Sequence, residues 1–87
     1  KEYLLGIAAT NDTYIKLYYP SDAKNPIYSG LISAGEKKEF KYKTKINLDV
    51  TDAQNIEISR NGKKVKLLDG KGAPIRGIHT IKISAKD

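Results

Sequence analysis

Residues 55–68, NIEISRNGKKVKLL, leave little freedom in how this chain folds. Asn61 and Gly62 are the pair most typical of a two-residue type I′ turn, because both central positions of that turn require a positive φ. On either side of the pair, apolar and polar residues alternate with a period of two, which predicts strands with one buried and one exposed face. We therefore expect a β-hairpin here, and we expect the other strands to pair with it or to pack around it.

The same alternation recurs along the rest of the 87-residue chain, between short segments rich in Asn, Asp, Ser, Gly and Pro. The run 39–50 is long for one strand of so small a protein, so we expect it to divide near Thr44. No segment has a helical period. The pattern predicts an all-β fold with residues 1–87 as a single domain. We expect a small antiparallel β-sandwich of about seven strands, for which an immunoglobulin-like order is one option.

The composition excludes several classes of function. The chain has no cysteine, so disulfides and thiolate chemistry are absent. No apolar run approaches the roughly 18 residues of a membrane-spanning helix. Methionine is missing even at position 1, so we expect a C-terminal fragment of a longer protein, with any membrane anchor outside it. The net charge of +6, carried mostly by lysine, permits contact with anionic glycopolymers, a membrane surface or nucleic acid.

Three lysines at alternate positions form the first candidate binding feature. Lys41, Lys43 and Lys45 lie at i, i+2 and i+4, which predicts three ammonium groups on one face of a strand. Such a row could bind a polyanion. The alternative is an exposed edge strand that its lysines protect from pairing with other chains, and we favour this second interpretation.

An aromatic group provides the second candidate. Tyr14, Lys16 and Tyr18 occupy the side of a predicted strand opposite to Ile15 and Leu17, which we expect to face the core. Exposed tyrosines can stack on sugars or nucleobases, or can contact another protein. They can equally cover the second face of a small sheet, and the sequence leaves both interpretations open.

Nothing in the sequence indicates catalysis, so we expect no enzymatic activity, no cofactor and no metal. His79 is the only histidine, and no residues at catalytic spacing accompany it. The glycine-rich segment 69–72, DGKG, lacks the spacing of a phosphate-binding loop and does not open a helix, so it is best interpreted as a turn.

Several segments, in their order and spacing, resemble the C-terminal extracytoplasmic domain of RodZ-type bacterial cell-shape proteins. These segments are ATNDTYIKL, YSGLISAGE, Phe40, the strand 46–50 and NGKKVKL. The sequence differs from the family pattern at Tyr14, where a tryptophan is expected, and in the turn 51–53, where family members tend to carry Gly-Asn-Ala.

The resemblance implies a non-enzymatic interaction module on the outer side of the bacterial plasma membrane. The parent protein would have a cytoplasmic helix-turn-helix domain that contacts the actin-like MreB, then one membrane span and a linker. The implied partners are cell-wall synthesis proteins or cell-wall polymers, and no nucleic acid is expected. A carbohydrate-binding or nucleic-acid-binding small β-module is the alternative. The candidate partner-binding residues are Tyr14, Lys16, Tyr18, Lys41, Lys43 and Lys45.

Overall fold

The computed structural model describes residues 1–85, in which eight β-strands and two 3-10 helices are found. The strands are β1 (Tyr3–Ala9), β2 (Thr13–Tyr18), β3 (Tyr28–Ile32), β4 (Lys37–Tyr42), β5 (Ile46–Val50), β6 (Ile56–Arg60), β7 (Lys63–Val65) and β8 (His79–Ile83). The 3-10 helices are Pro20–Asp22 and Ala53–Asn55.

The strands form two four-stranded antiparallel sheets that pack face to face. The first sheet has the order β4-β1-β6-β7, and the second has the order β3-β2-β5-β8. The predicted antiparallel sandwich is therefore confirmed. The structure has eight strands where about seven were predicted. The run 39–50 divides as predicted: β4 ends at Tyr42, the link 43–45 crosses between the sheets, and β5 begins at Ile46.

The core lies between the sheets and follows the predicted alternation. One parity of each central strand is buried, as the pleat of a strand requires. The buried apolar residues are Leu5, Ile7, Ala9, Ile15, Leu17, Ile32, Tyr42, Ile46, Leu48, Val50, Ala53, Ile56, Ile58, Ile81 and Ile83.

Tyr42 is the largest buried side chain, and it connects the two sheets at one end of the sandwich. Tyr42 is the last residue of β4. Its hydroxyl donates a hydrogen bond to the carbonyl of Ser84, just beyond β8 (2.9 Å). Burial raises the pKa of the Tyr42 phenol, although the positive charge of nearby Arg60 acts in the opposite direction. The Arg60 guanidinium also donates to the Ser84 hydroxyl (2.7 Å).

The hairpin of β6 and β7 has the predicted turn but not the predicted place. Asn61 and Gly62 have φ values of 52° and 83°, as a type I′ turn requires, and Arg60 pairs with Lys63. The expectation that the other strands pair with this hairpin or pack around it holds for β6 but not for the outer side of β7. β7 is the edge of the first sheet, and only β6 pairs with a further strand, β1. The strand alternation predicted the hairpin but carried no information about its neighbours.

The chain leaves the first sheet earlier than the alternation predicts. β7 ends at Val65, because the carbonyl of Leu67 accepts the N–H of Ile75 (3.1 Å) instead of continuing the ladder with β6. Asp69 closes the tip of this excursion, since its Oδ1 accepts the N–H groups of Lys71 (2.8 Å) and Ala73 (3.0 Å). Residues 66–76 thus cross from the first sheet to β8 in the second.

Candidate interaction surface

The outer face of the second sheet carries the predicted aromatic group. Tyr14, Lys16 and Tyr18 lie on β2 and point away from the core, whereas Ile15 and Leu17 are buried, as predicted. Tyr14 is 62 % exposed, and Lys16 and Tyr18 are half-buried. The three side chains therefore share one face, with Tyr14 the most accessible.

A line of polar contacts crosses the middle of this face. The hydroxyls of Tyr18 (3.0 Å) and Thr80 (2.8 Å) both donate to Oδ1 of Asp49. The Lys16 ammonium lies 5.1 Å from the centre of the Tyr18 ring, within cation–π range. Tyr18 and Lys16 are thus held by their neighbours in the sheet. By contrast, the Tyr14 hydroxyl makes no hydrogen bond to any other part of residues 1–85.

Apolar side chains extend the surface at one end. Leu31 on β3 stands opposite Tyr14 in the ladder and is 41 % exposed. Ile78, just before β8, is 85 % exposed. Together with Lys16 and Thr80, Tyr14 and Ile78 line a depression of about 390 Å³. We call Tyr14, Leu31 and Ile78 the apolar triad. An exposed large apolar group of this kind is typical of a contact surface.

Hydrogen bonds fix the backbone that carries the apolar triad. Beside Tyr14, the Thr51 hydroxyl accepts the Tyr14 N–H (3.2 Å), and the Thr51 N–H donates to the Tyr14 carbonyl (3.1 Å). Beside Ile78, the Gly77 N–H donates to the Gln54 amide oxygen (2.8 Å), and its carbonyl accepts the Ala53 N–H (2.9 Å). The side chains of the triad are thus presented from a fixed backbone, which lowers the entropy cost of binding.

The predicted arrangement of Tyr14 and Tyr18 is confirmed, but most of the surrounding surface was missed. Leu31, Ile78, Asp49 and Thr80 come from three other strands or their ends. Of these four residues, only Ile78 could have been placed on the surface from the sequence, because its position is out of phase with the inward-facing residues of β8. Gly77 supplies the bend that turns it outward, with a φ of 73°.

The three lysines do not form the predicted row. Lys41 lies on β4, but Lys43 and Lys45 lie in the link that crosses between the sheets, where the alternation of a strand no longer applies. The backbone N–H of Lys43 donates to the hydroxyl of Tyr19 (3.1 Å), which turns the chain at this point. The prediction that all three share one strand face is therefore wrong. The edge-strand interpretation holds for Lys41 alone, because β4 is an edge of the first sheet.

No catalytic constellation is found within residues 1–85. His79 is half-buried at the start of β8, and no group of three His, Asp or Glu side chains in the described part of the chain could hold a metal ion. In the segment 69–72, the Lys71 N–H donates to the carboxylate of Asp69 and the Gly72 N–H donates to its backbone carbonyl, rather than to an external anion. The prediction of a turn there is confirmed.

Comparison with known proteins decides the family. The family model described as the RodZ C-terminal domain matches residues 7–76, more than half of the chain. The chain belongs to the RodZ C-terminal domain family. No curated protein and no solved structure matches it.

As a RodZ C-terminal domain, the chain is a domain of a RodZ-like cell-shape protein. The match includes β2, β3 and β5, and so it covers Tyr14, Leu31 and Asp49 of the outer face. Ile78 and Thr80 lie beyond the matched residues. Among residues 1–85, no helix is long and apolar enough to cross a membrane.

Proposed function

We propose that this RodZ C-terminal domain is a non-enzymatic interaction module on the extracytoplasmic side of the membrane, where it helps to link the cytoskeleton to cell-wall synthesis. The observation that carries the proposal is the apolar triad, in which Tyr14 and Ile78 are 62 % and 85 % exposed on a hydrogen-bonded backbone. Aromatic anchors such as Tyr14 are among the side chains from which binding surfaces draw most of their free energy.

The chemistry of the outer face suits cell-wall polymers or the proteins that make them. A tyrosine ring can stack on a sugar, and the Thr80 and Ser29 hydroxyls and the Lys16 ammonium beside the depression offer hydrogen bonds to polar groups of a ligand. Lys16 and Lys82 supply the positive charge of this face. Anionic wall polymers would be attracted to such a surface.

The family supports the rest of the proposal by resemblance. The parent protein would anchor this domain through a membrane span outside the present sequence, and a cytoplasmic helix-turn-helix domain would contact the actin-like MreB. In this arrangement the domain would hold its partners outside the membrane close to the cytoskeleton inside the cell. Fold by itself does not supply this step, which depends on the family relationship.

Nucleic-acid binding is less well supported, although the net charge of +6 permits it. Single-stranded nucleic acids need aromatic rings along a positively charged groove. Here Tyr14 lies on the second sheet, whereas Lys41 lies on the first, and Lys43 and Lys45 lie in the link between the sheets. The stacking groups and most of the clustered lysines therefore do not share one surface.

An amide NMR titration with solubilised cell-wall fragments tests the proposal. We expect shifts confined to β2, Leu31, Thr51 and residues 78–80, and we expect them to persist when salt is raised from low to moderate concentration. Tyr14→Ala should weaken binding about thirtyfold, because the loss of a hot-spot side chain costs about 2 kcal/mol. Leu4→Ala is the matched control, because Leu4 is 37 % exposed on the other sheet and should have no effect.

Shifts that vanish as salt is raised, or that spread over lysines of both sheets, would contradict recognition of the wall by this face. Equal binding by the Tyr14→Ala and Leu4→Ala variants would contradict it as well. The same labelled chain can then be titrated with solubilised wall-synthesis proteins, for which the apolar triad predicts shifts at the same residues.

A further inference from the structure

A cleft of about 630 Å³ opens on the side of the sandwich where β7 and β8 end their sheets. Its floor is aliphatic, and several of the side chains that form it also belong to the core. The aliphatic residues that line it are Ile58, Val65, Leu67, Leu68, Ile75, Ile81 and Ile83. The cleft opens on a different side from the outer-face depression beside Tyr14, and the two share only His79 and Thr80 in their linings.

The register of the second sheet leaves backbone groups of β8 free beside this cleft. The Thr51 N–H donates to the Tyr14 carbonyl, so odd-numbered residues at this end of β5 bond to β2. Hydrogen-bonded pairs alternate in antiparallel ladders, so even-numbered residues of β5 bond to the odd-numbered residues of β8 opposite them. The N–H and C=O groups of Thr80 and Lys82 therefore point away from the sheet. Neither residue has another backbone partner within residues 1–85.

The other three sheet edges are protected. On β4, Lys37 and Lys41 are exposed at the edge, where charged side chains discourage pairing. On β3, the Tyr28 hydroxyl donates to the carbonyl of Leu31 (2.8 Å), so that edge acceptor is already occupied. β7 has only three residues, two of which are lysines. β8 has five residues with one lysine among them, and its edge lies beside an apolar cleft.

The charges around the cleft indicate the kind of ligand. Arg60, Lys66 and Lys82 contribute three positive charges to its lining. Asp69 is the only acidic residue in that lining, and its Oδ1 is occupied by N–H groups of its own loop. An acidic ligand is therefore complementary to this side of the molecule.

We propose that the edge of β8 binds an extended acidic segment of a partner protein, which adds to the second sheet as an antiparallel strand. Residues of the segment that hydrogen-bond to Thr80 and Lys82 would have their side chains on the outer face, beside the Lys82 ammonium. Residues between them would point into the apolar cleft. The segment should therefore alternate acidic and apolar residues.

A second copy of this chain is a poor candidate for the added strand. Each copy carries a net charge of +6, and pairing of two β8 strands would bring the Lys82 residues together. The proposed strand-binding edge goes beyond the function proposed above, because it uses backbone groups and the cleft rather than the apolar triad.

The probe for this proposal is an end-blocked nine-residue peptide of alternating glutamate and valine. Titrated into the ¹⁵N-labelled chain, it should give saturable shifts at β8, Val65 and Leu67. The same peptide with N-methylated glutamates should bind about tenfold more weakly or worse, because those N–H groups face Thr80 and Lys82. N-methylated valines should be tolerated, because their N–H groups point away from β8.

The matched protein variants are Thr80→Pro and Thr80→Ala. Both replacements remove the hydroxyl that donates to Asp49. Proline also removes an N–H that points away from β5, which an edge strand tolerates, whereas alanine keeps that N–H. We expect Thr80→Pro to weaken peptide binding about tenfold and Thr80→Ala to change it little. Retained amide signals of β5 and β8 show that each variant is folded. If Thr80→Pro does not fold, the two N-methylated peptides decide the question.

Equal binding of the two N-methylated peptides would overturn the proposal, because filling of the cleft alone would then explain the affinity. So would equal binding of a lysine–valine peptide, or concentration-dependent broadening at β8 without peptide, which would indicate a second copy. Shifts at Tyr14 and Leu31 instead of Val65 and Leu67 would also overturn it. Wall-fragment binding is read at Tyr14 and Leu31, so failure of that function is distinguishable from failure of this one.

Discussion

The two sides of the sandwich are closed in different ways. On the side of β3 and β4, the rings of Tyr28 and Phe40 pack across the gap between the sheets with centroids 5.7 Å apart. The Lys38 ammonium lies 4.9 Å from the centre of the Tyr28 ring and pairs with Glu36 (3.1 Å). On the side of β7 and β8, residues 66–76 cross between the sheets and leave the apolar cleft.

This difference shows that the gap between two sheets can be covered by packed side chains on one side of a sandwich and by a loop on the other. Aromatic packing fills space and excludes water, so the β3/β4 side contributes to stability. A loop that bonds mainly to itself leaves apolar surface accessible beside it. The β7/β8 side is therefore the one better suited to accept a ligand.

Tyr42 joins the two sides, so its removal should have the largest effect on stability. Tyr42→Ala should lower the free energy of unfolding by about 3–5 kcal/mol, because a fully buried aromatic side chain is lost. Tyr42→Phe keeps the ring and loses only the hydrogen bond to Ser84, so it should cost about 1 kcal/mol. Urea denaturation of both variants measures the effects. Equal losses would show that the hydroxyl, and not the ring, connects the sides.

Paired truncations on the two sides test the contrast directly. Phe40→Ala on the β3/β4 side should cost about 2 kcal/mol, roughly half of what a fully buried phenylalanine costs, because Phe40 is half-buried. Leu67→Ala on the β7/β8 side should cost about 1 kcal/mol, because Leu67 already borders open space. Denaturant midpoints at constant m-value report the difference. A larger decrease in the free energy of unfolding for Leu67→Ala would mean that the β7/β8 side contributes more to stability than the β3/β4 side.

The Glu36–Lys38 pair offers the smallest and most local test. The Ser33 N–H bonded to the Glu36 carboxylate (2.9 Å), with a further contribution from Lys38, holds the pKa of Glu36 below its ordinary value of 4.5. A lowered carboxyl pKa contributes stability that is present above the ordinary value and is lost as the pH falls through the folded pKa. In Lys38→Gln, an NMR titration should show a higher pKa for Glu36, which still stays below the ordinary value because the Ser33 contact remains.

An unchanged Glu36 pKa in Lys38→Gln would mean that the ion pair does not form in solution. The stability contributed by Lys38 depends on pH in the opposite direction. The contact with Glu36 raises the pKa of the Lys38 ammonium, so its contribution is complete below the ordinary lysine value and is lost as the pH rises through the folded pKa.

The sequence was sufficient to predict the strands and the inward-facing residues, because the alternation of a strand is a local property. Ile15 and Leu17 are buried and Tyr14 is exposed for that reason. The turn at Asn61 was equally predictable, since a positive φ is favoured by few residues. These features depend on neighbours within a few positions.

The surfaces were not predictable to the same extent, because they depend on strand order. Tyr18 and Asp49 lie 31 positions apart and meet only because β2 pairs with β5. Lys41 and Lys45 share a parity in the sequence, yet Lys41 lies on β4 and Lys45 lies in the link that crosses to the other sheet. Alternation within a strand contains no information about which strands are neighbours, so the apolar triad and the β8 edge became apparent only in the fold.

The position of the Asn61-Gly62 hairpin at the edge of a sheet has a consequence for the kinetics of folding. Its strands are joined by two residues, so the entropy cost of loop closure is small and the hairpin can form early. Most of the remaining ladders join segments far apart in the chain, such as Leu5 with Arg60. Chains with many such distant pairs fold slowly, over milliseconds to seconds. We therefore expect the first structure to form to be peripheral, and we expect the rate of folding to depend on the later pairing of β1 with β6 and of β2 with β5.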